Sequence, residues 1–157
     1  TTTRDIARQI LRHRSFSFQE FSQRYADPVS DLDMVVREAR LQDHANRQNS
    51  IELKVGDDKH RQIAYQWENM QRDLISRVKL NYAWAIEQGI AKEQARAILP
   101  EGLTVSRMYM NGTLRSWVHY IEIRSEQGVQ KEHREIAREA AKALANVFPM
   151  IDQFVCK

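Results

Sequence analysis

Between Arg8 and Tyr25 the chain reads RQILRHRSFSFQEFSQRY, carrying four arginines, one histidine, one glutamate, three glutamines and three serines. Guanidinium groups hold phosphate through paired N–H donors, so Arg8, Arg12, Arg14 and Arg24 suit an anionic ligand. Arg12 and Arg14 flank His13, and two fixed positive charges beside an imidazole disfavour its protonation. A neutral His13 donates one hydrogen bond and accepts another. Glu20, among these arginines, stays ionised and can accept from a ribose hydroxyl or an imide N–H. The same residues equally suit a solvated basic helix end in which Glu20 pairs with an arginine, and spacing does not choose between the two. Ser17 and Ser22 have no evident His–carboxylate relay beside them that would make either a nucleophile.

A second set is distant in sequence: Arg96, Asn111, Arg115, His119 and Arg124. Arg115 and His119 lie at i,i+4 and share a helix face. Arg124 is nine residues beyond Arg115, about 180° round an ideal helix. If both act, they serve different pockets or different copies of the chain. Taken singly, each also fits a surface arginine or a satisfied histidine.

Several other chemistries are disfavoured. His13, His44, His60, His119 and His133 form no close pair at metal-ligand spacing. Neither a P-loop nor a Gly-rich dinucleotide fingerprint occurs. The single cysteine, Cys156, stands next to the last residue, which excludes a disulfide framework and a cysteine zinc site and fits a reducing compartment. No run approaches the roughly 18 apolar residues of a membrane helix. Lys plus Arg number 24 against 21 for Asp plus Glu, a net charge of +3 with a pI near 9.1. That mild excess permits an anionic ligand without demanding nucleic acid. The 157 residues, 42% apolar and 29% charged, suit one globular domain with its own core.

The elements that must position these residues follow from hydrophobic period and punctuation. Ile6 with Ile10, and Ala7 with Leu11, mark a helix at the start of the chain. Ser15–Phe18 alternates as a loop or short extended piece, and Asp27-Pro28 is a break. Met34–Leu41 suits a strand or a helix. Asp43–Gly56 is polar and loop-like, with a short strand possible over Ile51–Val55. From Asp57 to Gln88, Ile63, Trp67, Met70, Leu74, Val78 and Tyr82 predict a long helix, begun by acidic residues and ended by Gly89. Lys92–Leu99 predicts a short helix stopped by Pro100. Thr104–Met110 has strand composition, and Asn111-Gly112 reads as a strand-to-helix turn with Thr113 as cap. Leu114, Trp117, Val118 and Ile121 stripe the next helix; the last runs from Gln130 to Phe148 and stops at Pro149. Trp67, Trp84 and Trp117 are expected in the core. The expected fold is α/β (α+β): a helix-rich single domain with a small, mainly antiparallel sheet and one long central helix.

At RHRSFSFQEFSQRY the chain resembles the flavin-dependent thymidylate synthases. Their signature is Arg-His-Arg, then Ser, an Asn-Glu or Gln-Glu pair, Ser and Arg-Tyr. Arg12, His13, Arg14, Ser17, Glu20, Ser22, Arg24 and Tyr25 match it. The likeness continues in order through Ala95-Arg96, Leu99-Pro100, Arg115-Ser116-Trp117 and Ile123-Arg124 to Gln130 and Glu132. It differs in Gln19, where many members have Asn, and in a Pro100–Arg115 interval one residue longer than in some relatives. It also lacks the segment that precedes the first motif in the family, so residues 1–157 are expected to be that domain without its N-terminal part.

The resemblance implies conversion of dUMP to dTMP, with methylenetetrahydrofolate as one-carbon donor and NADPH as reductant through bound FAD. It implies a homotetramer with active sites at subunit junctions, no nucleic-acid or membrane partner, no metal, and the cytoplasm as location (the host's, if viral). By position, dUMP would be bound by Gln9, Ile10, Leu11, Arg12, Glu20, Phe21, Ser22, Gln23, Arg24, Arg96 and Arg124. FAD would be held by Arg12, His13, Arg14, Glu20, Arg115, His119 and either Asn111 or Thr113. Arg124, as the catalytic residue, would favour the N3-ionised uracil ring and so activate a ring carbon. Such a route asks for no thiol, in keeping with a chain whose one cysteine is Cys156. The rival class is a non-catalytic nucleic-acid-binding module, in which Arg4, Arg8, Arg12 and Arg14 lie along phosphates.

Overall fold

The computed structural model describes residues 1–22 and 33–155. Gln23, Arg24, Tyr25, the Asp27-Pro28 break and Cys156 lie outside the described residues. In chain order the elements are β1 (Thr2–Thr3), α1 (Arg4–Ile10), β2 (Ser17–Glu20), β3 (Arg40–Gln42) and β4 (Ser50–Glu52). There follow α2 (Asp58–Glu87), α3 (Lys92–Ala95) with a 3-10 turn at Arg96–Ile98, β5 (Val105–Ser106) and β6 (Met108–Asn111). The chain closes with α4 (Leu114–Arg124), α5 (Lys131–Ala145) and a 3-10 turn at Pro149–Phe154. The helix-rich α+β class is as expected, and the small sheet takes the form of three two-stranded pairs: β1–β5, β2–β6 and β3–β4.

Two compact units divide the chain. The first comprises Thr1–Ala7, Glu20–Arg40 and Glu52–Met108. In it β1 and β5 pair antiparallel, Thr2 opposite Ser106 and Thr3 opposite Val105. The helix α2 starts where expected because the Asp57 carboxylate accepts from the His60 N–H at 3.1 Å. It ends at Gly89, whose φ of 75° is the left-handed turn that glycine adopts without strain. Val78, Tyr82 and Ala85 of α2 pack with Ala95 and Leu99 into the core of this unit. Burial pushes the Tyr82 phenol up.

The segment open to a strand or a helix reading, Met34–Leu41, is neither helix nor strand from Val35 to Ala39 and enters β3 only at Arg40. A single antiparallel bridge, Met34 to Thr104, ties it to the chain before β5. Beyond the bridge the buried Gln71 side chain stands in for a neighbouring strand. Its Oε1 accepts from the Arg37 N–H at 2.8 Å and its Nε2 donates to the Arg37 carbonyl at 2.9 Å. A carboxamide carries the same donor and acceptor as a peptide, so it satisfies the backbone where no strand is present.

Trp67 and Trp84 depart from the expectation of core burial: they are 43% and 59% exposed. Period assigns residues to one face of a helix, but a 30-residue helix is about 45 Å long and outruns the short elements that cover it. Trp117, in contrast, packs against a core as expected.

The second unit comprises Arg8–Gln19, Leu41–Ile51 and Tyr109–Lys157. Phe16, Tyr120, Ile121, Ala137, Ala141 and Ile151 form its core. Thr113 caps α4, its Oγ1 accepting from the Ser116 N–H at 3.2 Å. The helix α5 ends at Ala145, short of the expected Phe148. Pro149 has no N–H to give the Ala145 carbonyl and its ring crowds that group, so the helix stops four residues earlier. Thr104–Met110, read as one strand, is two strands interrupted at Arg107.

Candidate functional site

In the second unit α1 ends at Ile10, and a turn carries the chain back toward β2. The His13 N–H donates to the Ile10 carbonyl at 3.0 Å and the Phe16 N–H to the His13 carbonyl at 3.2 Å. The turn directs the His13 ring onto α4, edge-on to Tyr120 with ring centroids 4.9 Å apart. Arg124, the last residue of α4, meets it there, its Nε–H donating to His13 Nε2 at 2.9 Å. Because Nε2 accepts, a neutral His13 carries its proton on Nδ1.

His13 is held neutral: its pKa falls from 6.5 to about 4, first through burial, then through the charge of Arg124 and the neighbouring His119. The expected direction was correct, but the charges responsible are not Arg12 and Arg14, which are both exposed. Adjacent side chains on a turn diverge, whereas α4 brings Arg124 to the imidazole across the fold. The Arg124 side chain makes this one hydrogen bond among the described residues, through Nε, so its two terminal nitrogens remain available to an acceptor.

Behind His13 lies a buried polar chain that the motif did not reveal. The Tyr120 hydroxyl is 3.1 Å from His133 Nε2, and His133 Nδ1 is 3.3 Å from Gln9 Oε1. Gln9 Nε2 donates to Gln130 Oε1 at 2.7 Å. Burial holds His133 to about 4, with Arg124 and His13 adding to the effect, and burial pushes the Tyr120 phenol up. The legible signal was a tyrosine on the apolar stripe of α4: a buried hydroxyl demands a partner.

The structure therefore gathers Gln9, His13, His119 and Arg124, with Ile10 buried beside them at 4% exposure. A buried Ile10 side chain leaves only its backbone for any ligand. Leu11, Arg12, Arg14, Asn111 and Arg115 are exposed in the same unit. Thr113 is exposed too, but its hydroxyl oxygen is committed to the α4 cap and to Ser116 Oγ at 3.0 Å.

Glu20, Phe21, Ser22 and Arg96 belong to the first unit. Glu20 Oε1 accepts from the Ser106 hydroxyl at 2.6 Å and lies 3.8 Å from the Arg4 guanidinium. Glu20 does pair with an arginine, then, but with one from the start of α1 rather than from its own motif. Phe21 is exposed while its N–H donates to the Arg107 carbonyl at 2.8 Å. Arg96 is exposed at the start of its 3-10 turn. Gln23 and Arg24 lie outside the described residues. A cavity of about 550 Å³ in this unit, walled by the Val36–Arg40 segment and by Glu68 and Arg72 of α2, holds none of the expected site residues.

Among the described residues no group of three or more His, Cys, Asp or Glu side chains could hold a metal ion. Nor is any helix long and apolar enough to cross a membrane. The chemistry on offer is that of fixed guanidinium charge, neutral imidazole and an oriented carboxamide.

A family model described as thymidylate synthase complementing protein matches residues 1–150. A probable flavin-dependent thymidylate synthase of Paramecium bursaria Chlorella virus 1 is 45% identical over 150 residues, and a flavin-dependent thymidylate synthase of Synechocystis is 47% identical over 152. Each alignment covers 96% of this chain and 66% of the relative, so the chain spans slightly less than two thirds of their length. Among solved structures, a UMP/dUMP methylase, PolB of Streptomyces cacaoi, shares the fold with a TM-score of 0.72 at 21% identity. That match covers 98% of this chain and 70% of the other.

Proposed function

Because the chain belongs to the family of thymidylate synthase complementing proteins, we propose that it acts as a flavin-dependent thymidylate synthase on dUMP. The one-carbon unit comes from methylenetetrahydrofolate and the reducing equivalents from NADPH. The observation that carries this reading is the Arg124–His13 contact, which joins the first motif to the second inside one unit. It fixes a guanidinium beside a neutral imidazole and leaves the tip of that guanidinium open to substrate.

The exposed guanidinium groups of Arg12, Arg14 and Arg115 fit the diphosphate of FAD, since each offers paired donors to phosphate oxygen. His119, one turn after Arg115, and His13 would complete the flavin contacts. Asn111 is better placed to take the remaining one than Thr113, whose oxygen serves the helix cap. When bound, the flavin supplies the redox chemistry of the reaction.

The work of the chain is binding and polarisation. Gln9 and Arg12 of the second unit offer an amide and a guanidinium to dUMP. The roles read for Arg24 and Arg96 as phosphate partners, and for Glu20 as an acceptor for a hydroxyl or imide N–H, rest on the family resemblance alone. Arg124 faces the pyrimidine and stabilises negative charge at N3, which raises electron density at the ring carbon to be alkylated. Preorganised charge of this kind costs no rearrangement during reaction, and no cysteine is required.

A homotetramer with sites at subunit junctions is part of the same reading. Its support is the open apolar stripe of α2, where Trp67, Met70 and Leu74 stand at i, i+3 and i+7 with 43%, 66% and 45% exposure. The nucleic-acid-binding alternative has no support from the family or the relatives matched.

The deciding experiment uses the purified full-length protein. It should be yellow with bound flavin and should form dTMP from dUMP when given methylenetetrahydrofolate and NADPH. A colourless protein that forms no dTMP after incubation with FAD overturns the proposal.

A further inference from the structure

The chain from Tyr120 to Gln130 has one direction. Tyr120 is 1% exposed and His133 is fully buried. Among the described residues the Tyr120 hydroxyl has one partner, His133 Nε2, at 3.1 Å. If Nε2 carried the proton, it would donate to the tyrosine oxygen, and the tyrosine O–H would be buried with nothing to bond. That arrangement loses a hydrogen bond and pays the desolvation of a buried donor. The satisfied arrangement has Tyr120 donating to Nε2, which puts the proton of a neutral His133 on Nδ1. Nδ1 then donates to Gln9 Oε1 at 3.3 Å, and Gln9 Nε2 donates one hydrogen to Gln130 Oε1 at 2.7 Å. The carboxamide oxygen is thereby tied to His133, and one N–H of the amide is left.

We propose that Tyr120 and His133 are positioning residues that lock the Gln9 carboxamide in one orientation, so that it meets dUMP as an N–H donor. This rests on the reading of Gln9 as a dUMP-binding residue. A phosphate or a pyrimidine carbonyl accepts and does not donate, so an amide flipped by 180° would present an oxygen where the substrate also has one. The relay excludes that flip from a distance, without either residue touching the ligand. Neutrality of His133 keeps the tyrosine end of the relay satisfied: a protonated ring would still hold the amide oxygen through Nδ1–H, but it would turn a second donor on the tyrosine oxygen and strand the Tyr120 O–H. Burial and the charge of Arg124, which hold its pKa near 4, keep the ring neutral at working pH.

The test uses the flavin-loaded full-length protein and dUMP. Tyr120→Phe removes only the hydroxyl and keeps the ring packed against Phe16, Trp117 and His13. It should raise KM for dUMP about threefold to tenfold, the worth of one hydrogen bond, with kcat and flavin content within about twofold. His133→Leu should do the same or more, while His133→Asn, whose amide N–H stands near the position of Nδ1–H, should recover most of the affinity. Nitrogen-15 NMR of the wild-type protein should find His133 protonated on Nδ1, and Tyr120→Phe should mix the two tautomers. Unchanged KM in both Tyr120→Phe and His133→Leu, or a wild-type ring protonated on Nε2, overturns the proposal. A wild-type flavoprotein that does not bind dUMP is a different result: it removes the synthase reading itself, and this inference with it.

Discussion

In the second unit, Tyr120 and His133 sit on helices that also carry its apolar core, and their polar tips are buried against one another. In the first unit, α2 carries Trp67, Met70 and Leu74 in an unbroken helical stripe that is open. Both faces have the same 3.6-residue period. They differ in what remains to be satisfied. The buried polar tips find their partners within the chain, as they must, because each unbonded group would cost about 1–3 kcal/mol. The open apolar stripe of α2 carries no such penalty in water per side chain, and it is the surface that the proposed tetramer would cover. The second unit is therefore where to look for specificity, and α2 is where to look for assembly.

The sharpest way to break that division is Arg124→Ala. Removing the guanidinium should lower dTMP formation at least about 100- to 1000-fold, the usual loss when a preorganised charge-stabilising donor is deleted. Flavin absorbance of the purified variant should persist. Turnover within tenfold of wild type would show that the pyrimidine is polarised by something other than Arg124, and the second unit would lose its claim to the chemistry.

How far the sequence alone reached is best seen at particular residues. Local signals held where the physics is local. Asp57 and Gly89 bound α2, Thr113 caps α4, and the Asn111-Gly112 turn leads from strand to helix. The resemblance gives His13 to the flavin and Arg124 to the nucleotide without joining them. The direction of the His13 shift is legible, but Arg124, not Arg12 or Arg14, is the charge that adds to burial. Three things were not legible. The contact of Arg124 with His13 spans 111 residues, and no local rule encodes such a distance. Gln71 replaces a strand for Arg37, so the Met34–Leu41 stretch gives neither a clean strand nor a clean helix pattern. Trp67 and Trp84 were assigned to a core because period says which residues share a face and nothing about what covers it.

Assembly can be tested on α2 directly. Trp67→Glu combined with Leu74→Glu places two charges on the exposed first part of the stripe, which ends one turn before the buried Val78. Sedimentation velocity should show the wild-type protein as a tetramer and the double variant as smaller species, with an apparent dissociation constant raised at least about 100-fold, as two disrupted apolar anchors imply. A wild-type monomer, or a variant that assembles as before, would remove α2 from the interface.

The buried relay can be sharpened by pH. His133 titrates near 4 in the folded chain against an ordinary 6.5. The unfolded chain therefore takes up the proton first as pH falls. The stability that comes from keeping this ring neutral is complete above about pH 6.5 and declines as pH approaches 4. The whole window is worth up to about 3 kcal/mol for a ring as buried as this one. Urea denaturation at pH 7 and pH 5 should show a larger loss for wild type than for His133→Leu. Equal losses would mean that the relay does not exclude the proton, and the contrast with the solvated face of α2 would weaken.

A smaller effect belongs to the turn that starts α4. A Cβ built on Gly112 would lie 2.5 Å from the Phe16 ring, closer than such atoms approach one another. That ring is itself edge-on to Trp117 at 5.0 Å and to Tyr120 at 5.9 Å, so it has little room to withdraw. Gly112→Ala should cost about 1–3 kcal/mol of stability through overpacking, with a matching fall in the urea midpoint. Because the strain would reach Tyr120 through Phe16, the variant should also raise KM for dUMP slightly while leaving the proposed assembly through α2 untouched. A variant as stable as wild type would mean that Phe16 yields freely, and that the aromatic packing around Tyr120 is not what holds its hydroxyl on His133.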